Sequence, residues 1–290
     1  MRFLSLFLLP LLLILPHAAH AEKITVVASF SILGDMVHEV AGDKVNLITL
    51  VGPNSDAHAY EPTPADAKTV AGANLLIVNG FGFETWQDRL VQASGFKGTI
   101  ATASEGITPI LNKDTPDPHA WQDIKNGKLY AINISAALAK ADPANAGIYA
   151  ANAAHYVKTL TAIDEWVKAA IAKVPQAKRR AITSHDALQY FSRAYGVSFI
   201  APMGLNTSGE VSAYYMAQLI DLIKRKEVRA VFMENMTDPR LVKQLVSDGG
   251  AVLGGTLYSD ALSEPTGPAP TYVEMFRHNV TTLAEAMIQN

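Results

Sequence analysis

The sequence predicts an α/β protein of two similar lobes with mainly parallel sheets, joined by one long rigid helix. Three observations carry this reading. β-rich runs alternate with amphipathic helical stretches up to about residue 142, an unbroken apolar stripe then runs from Tyr156 to Val174, and the alternation resumes after Pro175. Strand and helix in turn imply βαβ units, whose strands lie parallel.

In the first half, residues 23–28 read as a strand, 32–40 as a helix and 45–51 as a second strand closed by Gly52-Pro53-Asn54. Residues 64–71 form a short helix with Pro64 in its first turn, 74–78 an apolar strand and 84–93 another helix. A helical segment containing residues 129–139 follows. Asp142-Pro143 is the signature of a new helix, with Asp as cap and Pro at the first helical position. Tyr156, Leu160, Ile163, Val167, Ile171 and Val174 then recur at intervals of three and four. They define one face of a helix of about 30 residues, roughly 45 Å long, which periodicity alone reads either as an ordinary long surface helix or as a rigid spine that touches both halves. Beyond Pro175, residues 180–184, 197–201, 229–234 and 251–257 read as strands. Residues 187–195 (closed by Gly196), 211–226, 239–247 and 272–288 read as helices. The implied division is a leader at 1–21, a first lobe at 22–142, a connecting helix at 143–174 and a second lobe at 175–290.

The leader has a short positive start at Arg2, an apolar run from Phe3 to Leu15 and a small-residue site at Ala19-His20-Ala21. That is the pattern of a secretory signal peptide cut after Ala21, so the expected place of the protein is the periplasm, with no membrane insertion after cleavage. The chain has no cysteine, which removes disulfides, thiolate metal sites, cysteine nucleophiles and a lipid-accepting thiol together. It carries 24 basic and 27 acidic residues, a net charge of −3 that becomes −4 when Arg2 leaves with the leader. Nothing in that balance points to nucleic acid or an anionic membrane as partner.

Four residues in loop-like contexts stand out: His58, His119, His185 and Asp260. In open α/β sheets, ligands gather outside the carboxyl ends of the strands. His58, His185 and Asp260 each follow a predicted strand, and His119 lies in the irregular stretch Asp117-Pro118-His119. Two would come from each half and meet in the cleft between them. Taken singly, each is as well read as a hydrogen-bonded or exposed residue. His38, His155 and His278 lie inside predicted helices and read as structural or solvated, and His17 and His20 leave with the leader. There is no His-Glu-x-x-His pair of the kind many zinc hydrolases carry.

The motifs resemble those of the metal-specific solute-binding proteins of bacterial ABC importers, the ZnuA-like and TroA-like (cluster A-I) family. The residues that carry the resemblance are Val27-Ala28-Ser29-Phe30, His58-Ala59-Tyr60-Glu61-Pro62-Thr63-Pro64-Ala65-Asp66, Asp117-Pro118-His119-Ala120-Trp121, Ser184-His185-Asp186-Ala187 and Leu257-Tyr258-Ser259-Asp260-Ala261-Leu262. They fall in family order along nearly the whole mature chain. The resemblance implies metal ligands at His58, His119, His185 and Asp260, no catalytic activity, an inner-membrane ABC permease as partner and a monomeric receptor. It leaves a periplasmic metallochaperone open as a second partner.

Two departures stand out. Residues 98–116 hold no histidine, where many zinc members carry a His- and acid-rich loop, and Glu210-Val211-Ser212 replaces the family's usual Glu-Pro-Ser. Three imidazoles favour Zn2+, whereas Mn2+ is better served by oxygen donors. Manganese members of the family generally carry a carboxylate at the third position, where this chain has His185. Zn2+ is therefore the expected cargo and Mn2+ the alternative. Four donors fill a tetrahedral shell and leave no open position for a reacting water, which favours a carrier over a metal-dependent hydrolase. The missing lipid-accepting cysteine argues against a surface adhesin. Glu61, Asp186 and Glu234 are candidates to orient the imidazoles, with a helix cap the competing role for Asp186. Affinity is expected to fall as the pH drops through about 6, where imidazoles protonate.

Overall fold

The computed structural model describes residues 22–207, 211–225 and 227–290. The leader at 1–21, Glu210 and Lys226 lie outside them.

The first sheet contains β1 (Thr25–Phe30), β2 (Asn46–Val51), β3 (Leu75–Val78) and β4 (Thr99–Thr102), all parallel, in the order β2-β1-β3-β4. A separate antiparallel hairpin joins β5 (Leu111–Asn112) to β6 (Thr115–Pro116). The second sheet contains β7 (Arg180–Ile182), β8 (Ser198–Ile200), β9 (Ala230–Glu234) and β10 (Val252–Leu257), again parallel, in the order β10-β9-β7-β8. Counted within each lobe, both sheets run second, first, third, fourth. The connections diverge between the first and third strands of each, and that divergence opens a crevice at the carboxyl ends. β3 is buried along its whole length, as a strand covered on both faces must be.

The helices are α1 (Ser31–Ala41), α2 (Pro64–Ala71), α3 (Gln87–Ser94), α4 (Ile124–Ala141), α5 (Ala146–Ala172), α6 (Gln189–Tyr195), α7 (Ala213–Lys224), α8 (Arg240–Gly249) and α9 (Tyr272–Met287). α2 begins with a full capping box, in which Thr63 and Asp66 each accept the other's backbone N–H. α6 ends at Gly196 in the left-handed conformation (φ +70°).

All six stripe residues from Tyr156 to Val174 are buried, five of them on α5 and Val174 just past its end. At 27 residues the helix is about 40 Å long. It packs against α1 and α4 on the first-lobe side and α6 and α9 on the second, so the spine does touch both halves. One apolar cluster accordingly runs from the first sheet through α5 into α6 and α9. A smaller one, including Leu219, Val231, Val242 and Leu245, fills the space between the second sheet and α7 and α8.

The structure differs from the sequence reading at five elements. Asp142 and Pro143 do open the long helical segment, but its first turn, Pro143–Asn145, is 3-10, and the Asp142 carboxylate accepts from Asn145 Nδ2 (2.7 Å) and Tyr149 OH (2.6 Å) in place of a capping backbone N–H. α3 starts at Gln87 and not at residue 84, because the Glu84 carboxylate is already occupied by the N–H groups of Asn79 and Gly80 and the Ser29 hydroxyl. β4 went unread, being an edge strand of sequence Thr-Ile-Ala-Thr with no apolar run to mark it. The β5-β6 hairpin is only two residues per strand and largely exposed. Among the described residues, no helix is long and apolar enough to cross a membrane.

Candidate metal centre

The loop after β2 brings His58 to the crevice. Its loop is tied at three points: Trp86 Nε1 donates to Ala57 O (2.9 Å), Tyr60 OH donates to Asp66 (2.8 Å), and the His58 N–H donates to Asp56 Oδ1 (2.9 Å). His119 follows the β5-β6 hairpin. Asn79 Nδ2 holds the Pro118 carbonyl (2.9 Å), and Asp117 Oδ1 accepts the His119 N–H (2.9 Å) while lying 2.7 Å from its ring Nδ1. His185 stands three residues beyond β7, and Asp260 three beyond β10.

The four residues meet. One donor atom from each of His58, His119, His185 and Asp260 lies within 4.8 Å of all the others. His58 Nε2 is 3.2 Å from His119 Nε2, and Asp260 Oδ2 is 2.9 Å from His185 Nε2, 3.4 Å from His58 Nε2 and 3.8 Å from His119 Nε2. A tetrahedral ion with bonds of about 2.0–2.1 Å sets its ligands about 3.3 Å apart, in the middle of that spread. Two lie on segments of the first lobe and two on segments of the second. His38 and His155 are exposed on α1 and α5, and His278 of α9 bonds the Thr256 carbonyl (2.9 Å), away from the cluster.

Neither Asp260 oxygen and neither His185 ring nitrogen has an aligned hydrogen bond to a described residue, although all are buried. Buried polar atoms are rarely left without a partner. Three imidazoles and a carboxylate converging in this way are a donor set that a divalent transition metal would satisfy.

Electrostatics follow from the same crowding. Burial disfavours charge on Asp260, but the His185 and His119 rings outweigh it and hold the carboxyl well below its usual range. Burial likewise opposes a charged His185, yet the Glu234 and Asp260 carboxylates hold it well above an ordinary imidazole. His58 is lowered, by burial first and then by the other two rings, against the pull of Asp260.

Of the three acids named as orienting groups, Glu234 alone reaches an imidazole, with Oε2 2.6 Å from His185 Nδ1. Glu61 is exposed, and Asp186 accepts from Gln189 Nε2 (2.6 Å) at the start of α6. Asp117, which the sequence reading left out, does for His119 what Glu234 does for His185. The signal was available: an Asp two residues before a His is placed to accept its N–H. Phe83 was missed as well, packing edge-on against His58 with ring centroids 4.6 Å apart. It is aimed by a turn at Gly80, Phe81 and Gly82, all at positive φ. A Cβ on Gly80 would come 2.5 Å from Thr102 Cγ2, so only glycine fits.

Two lobes of identical strand order on a stiff helix, with a four-donor cluster in the crevice between them, define a two-lobed metal-binding protein. The family model described as "Zinc-uptake complex component A periplasmic" matches residues 26–286. The chain is 32% identical over 269 residues to the manganese-binding lipoprotein MntA of Halalkalibacterium halodurans, covering 92% of this chain and 90% of that one. It is 31% identical over 275 residues to the iron-binding protein YfeA of Yersinia pestis, covering 93% and 88%. The periplasmic zinc binding protein TroA of Treponema pallidum superposes with a TM-score of 0.88 at 29% identity, over 92% of this chain and 99% of that one. The chain belongs to the ZnuA family of metal-binding receptors of ABC importers. It is a substrate-binding protein and not an enzyme, it works outside the cytoplasm, and its partner is a membrane permease.

Proposed function

We propose that His58, His119, His185 and Asp260 are the cargo ligands and that the cargo is Zn2+. The observation that carries this is the convergence of three imidazole nitrogens on a carboxylate whose oxygens have no other aligned partner among the described residues. Three nitrogens and one oxygen suit zinc, and for a fixed donor set zinc binds more tightly than manganese. Manganese is the second reading, favoured by the relative named as manganese-binding. In this reading residues 22–142 and 175–290 are the two lobes, 143–174 connects them, and the zinc-loaded monomer presents its cleft to an inner-membrane permease.

The test is elemental analysis of the protein taken from its native periplasm without added metal, joined to native mass spectrometry under equimolar Zn2+ and Mn2+. One zinc per chain is expected in both. Manganese in the native preparation would overturn the choice of ion, and retention of zinc by His185→Ala at full affinity would overturn the ligand set.

A further inference from the structure

His119, His185 and Asp260 are wholly buried, whereas His58 is 8% exposed. The difference extends to their supports. Nδ1 of His119 faces Asp117 at 2.7 Å and Nδ1 of His185 faces Glu234 at 2.6 Å, so turning either ring away would give up a close contact with a buried carboxylate. No carboxylate among the described residues stands against Nδ1 of His58. This ring is held through its main chain.

That grip crosses the cleft. Asp56 Oδ1 accepts the N–H of His58 (2.9 Å) and of Ala59 (3.3 Å), while Asp56 Oδ2 accepts the hydroxyl of Thr207 (2.5 Å), which belongs to the loop after β8. Nearby, Asn235 Nδ2 donates to Asn54 Oδ1 (3.0 Å) and Asn54 N–H to Leu262 O (2.9 Å), fastening the start of the same loop to the second lobe. Asp56 and Thr207 also line an open cleft of about 440 Å3 with Met203, Met236 and Arg240, so water reaches this tie without crossing the metal centre.

We propose that Asp56 is a positioning residue that sets how fast the ion leaves: by bridging Thr207 to the His58 main chain it latches the one ligand that is not wholly buried. The proposal rests on the ligand set above. Releasing the ion requires a ligand to withdraw. His58, alone of the four in not being wholly buried, can withdraw with its loop more readily once the Asp56–Thr207 bond across the cleft breaks. A hydrogen bond to a charged acceptor is of a size that changes a rate about ten-fold when removed.

The test compares Thr207→Val, which keeps the shape and loses the hydroxyl, with Thr207→Ser, which keeps the hydroxyl. Zinc release into excess chelator is followed by stopped flow, and amide exchange of residues 54–60 is measured in the metal-free protein. Thr207→Val is expected to release zinc about ten-fold faster with little change in association rate. Its cobalt-loaded form should keep the wild-type visible spectrum, its 54–60 amides should exchange faster, and Thr207→Ser should restore both rates. Asp56→Ala, which also frees the His58 and Ala59 N–H groups, should release faster still. Zinc retained by wild type with unchanged release from Thr207→Val, or equal release from the Val and Ser variants, would overturn the latch alone. Failure of the wild type to hold zinc would overturn the ligand set and the retention role with it.

Discussion

Glu234 holds His185 twice, by accepting the N–H groups of Ser184 (2.7 Å) and His185 (2.9 Å) on Oε1 and by setting Oε2 2.6 Å from the ring Nδ1. The Ser259 hydroxyl donates to the same Oε2 (2.6 Å), one residue before Asp260, so a single carboxylate braces two of the proposed ligands. Glu234→Gln keeps the shape and removes the charge that favours an N–H on Nδ1. Orienting partners of this kind are worth about 10–100-fold in metal affinity, and a loss in that range is expected in a chelator competition titration. Affinity within about two-fold of wild type would show that the brace is structural only.

Binding should release a proton near neutrality. His185 has its folded pKa raised well above ordinary imidazole, burial being outweighed by Glu234 and Asp260. Such a group contributes stability that is complete below about pH 6.5 and disappears as the pH rises through the folded value. Asp260 is depressed, so its contribution is present above about pH 3.9 and disappears as the pH falls through its folded value. The metal-free centre therefore holds a charged His185 against an ionised Asp260, and a cation must displace that proton. Affinity should begin to fall at a higher pH than the value near 6 expected from unperturbed imidazoles. Calorimetry at pH 7 in two buffers of different ionisation heat should report release of about one proton; none would refute a charged His185.

The four candidate residues were legible chiefly through the resemblance of the motifs around them; their places, three in loops after strands and one in an Asp-Pro-His turn, agree with a parallel sheet gathering such positions at one rim. The spine was legible because its apolar stripe is long enough to have only one period. What stayed hidden depends on contacts across the fold. Glu84 looks like a helical residue until the N–H groups of Asn79 and Gly80 claim its carboxylate. Asp56 is one more loop acid until Thr207, 151 positions away, donates to it. Asp142-Pro143 reads as a helix start, and its pattern does not reveal that Tyr149 will draw the Asp into a turn.

The lobes are joined close behind the metal centre as well as through α5. Trp121 Nε1 (2.9 Å) and Gln122 Nε2 (2.6 Å) both donate to the Ser259 carbonyl, Tyr272 OH donates to the Trp121 carbonyl, and Asp35 accepts the Tyr272 N–H (2.8 Å). Gly127 of α4 leaves room for that tyrosine: a Cβ there would lie 2.5 Å from its hydroxyl oxygen. Gly127→Ala should therefore destabilise the protein by about 1–3 kcal/mol, overriding the helix-propensity gain of about 1 kcal/mol. Chemical denaturation of the metal-free protein checks the sign. With the cross-lobe bonds intact, scattering profiles with and without zinc should nearly coincide, and a large compaction would contradict a stiff link.

The sharpest separation of ligand from bystander lies between two histidines. His119 is wholly buried, with Nε2 3.2 Å from His58 Nε2 and Nδ1 held by Asp117. His155 is exposed on α5. Deleting a group that merely orients a ligand costs about 10–100-fold in affinity, so deleting the ligand itself should cost roughly 100-fold or more. His119→Ala should weaken zinc binding to that extent in competition with a chelator, while His155→Ala leaves it within about two-fold. The thermal midpoint of each metal-free variant separates lost binding from lost folding, because a His119→Ala protein that melts as the wild type does can have lost only the ligand. Equal zinc affinities for the two variants would remove His119 from the centre, and the remaining three donors would no longer close a four-coordinate shell.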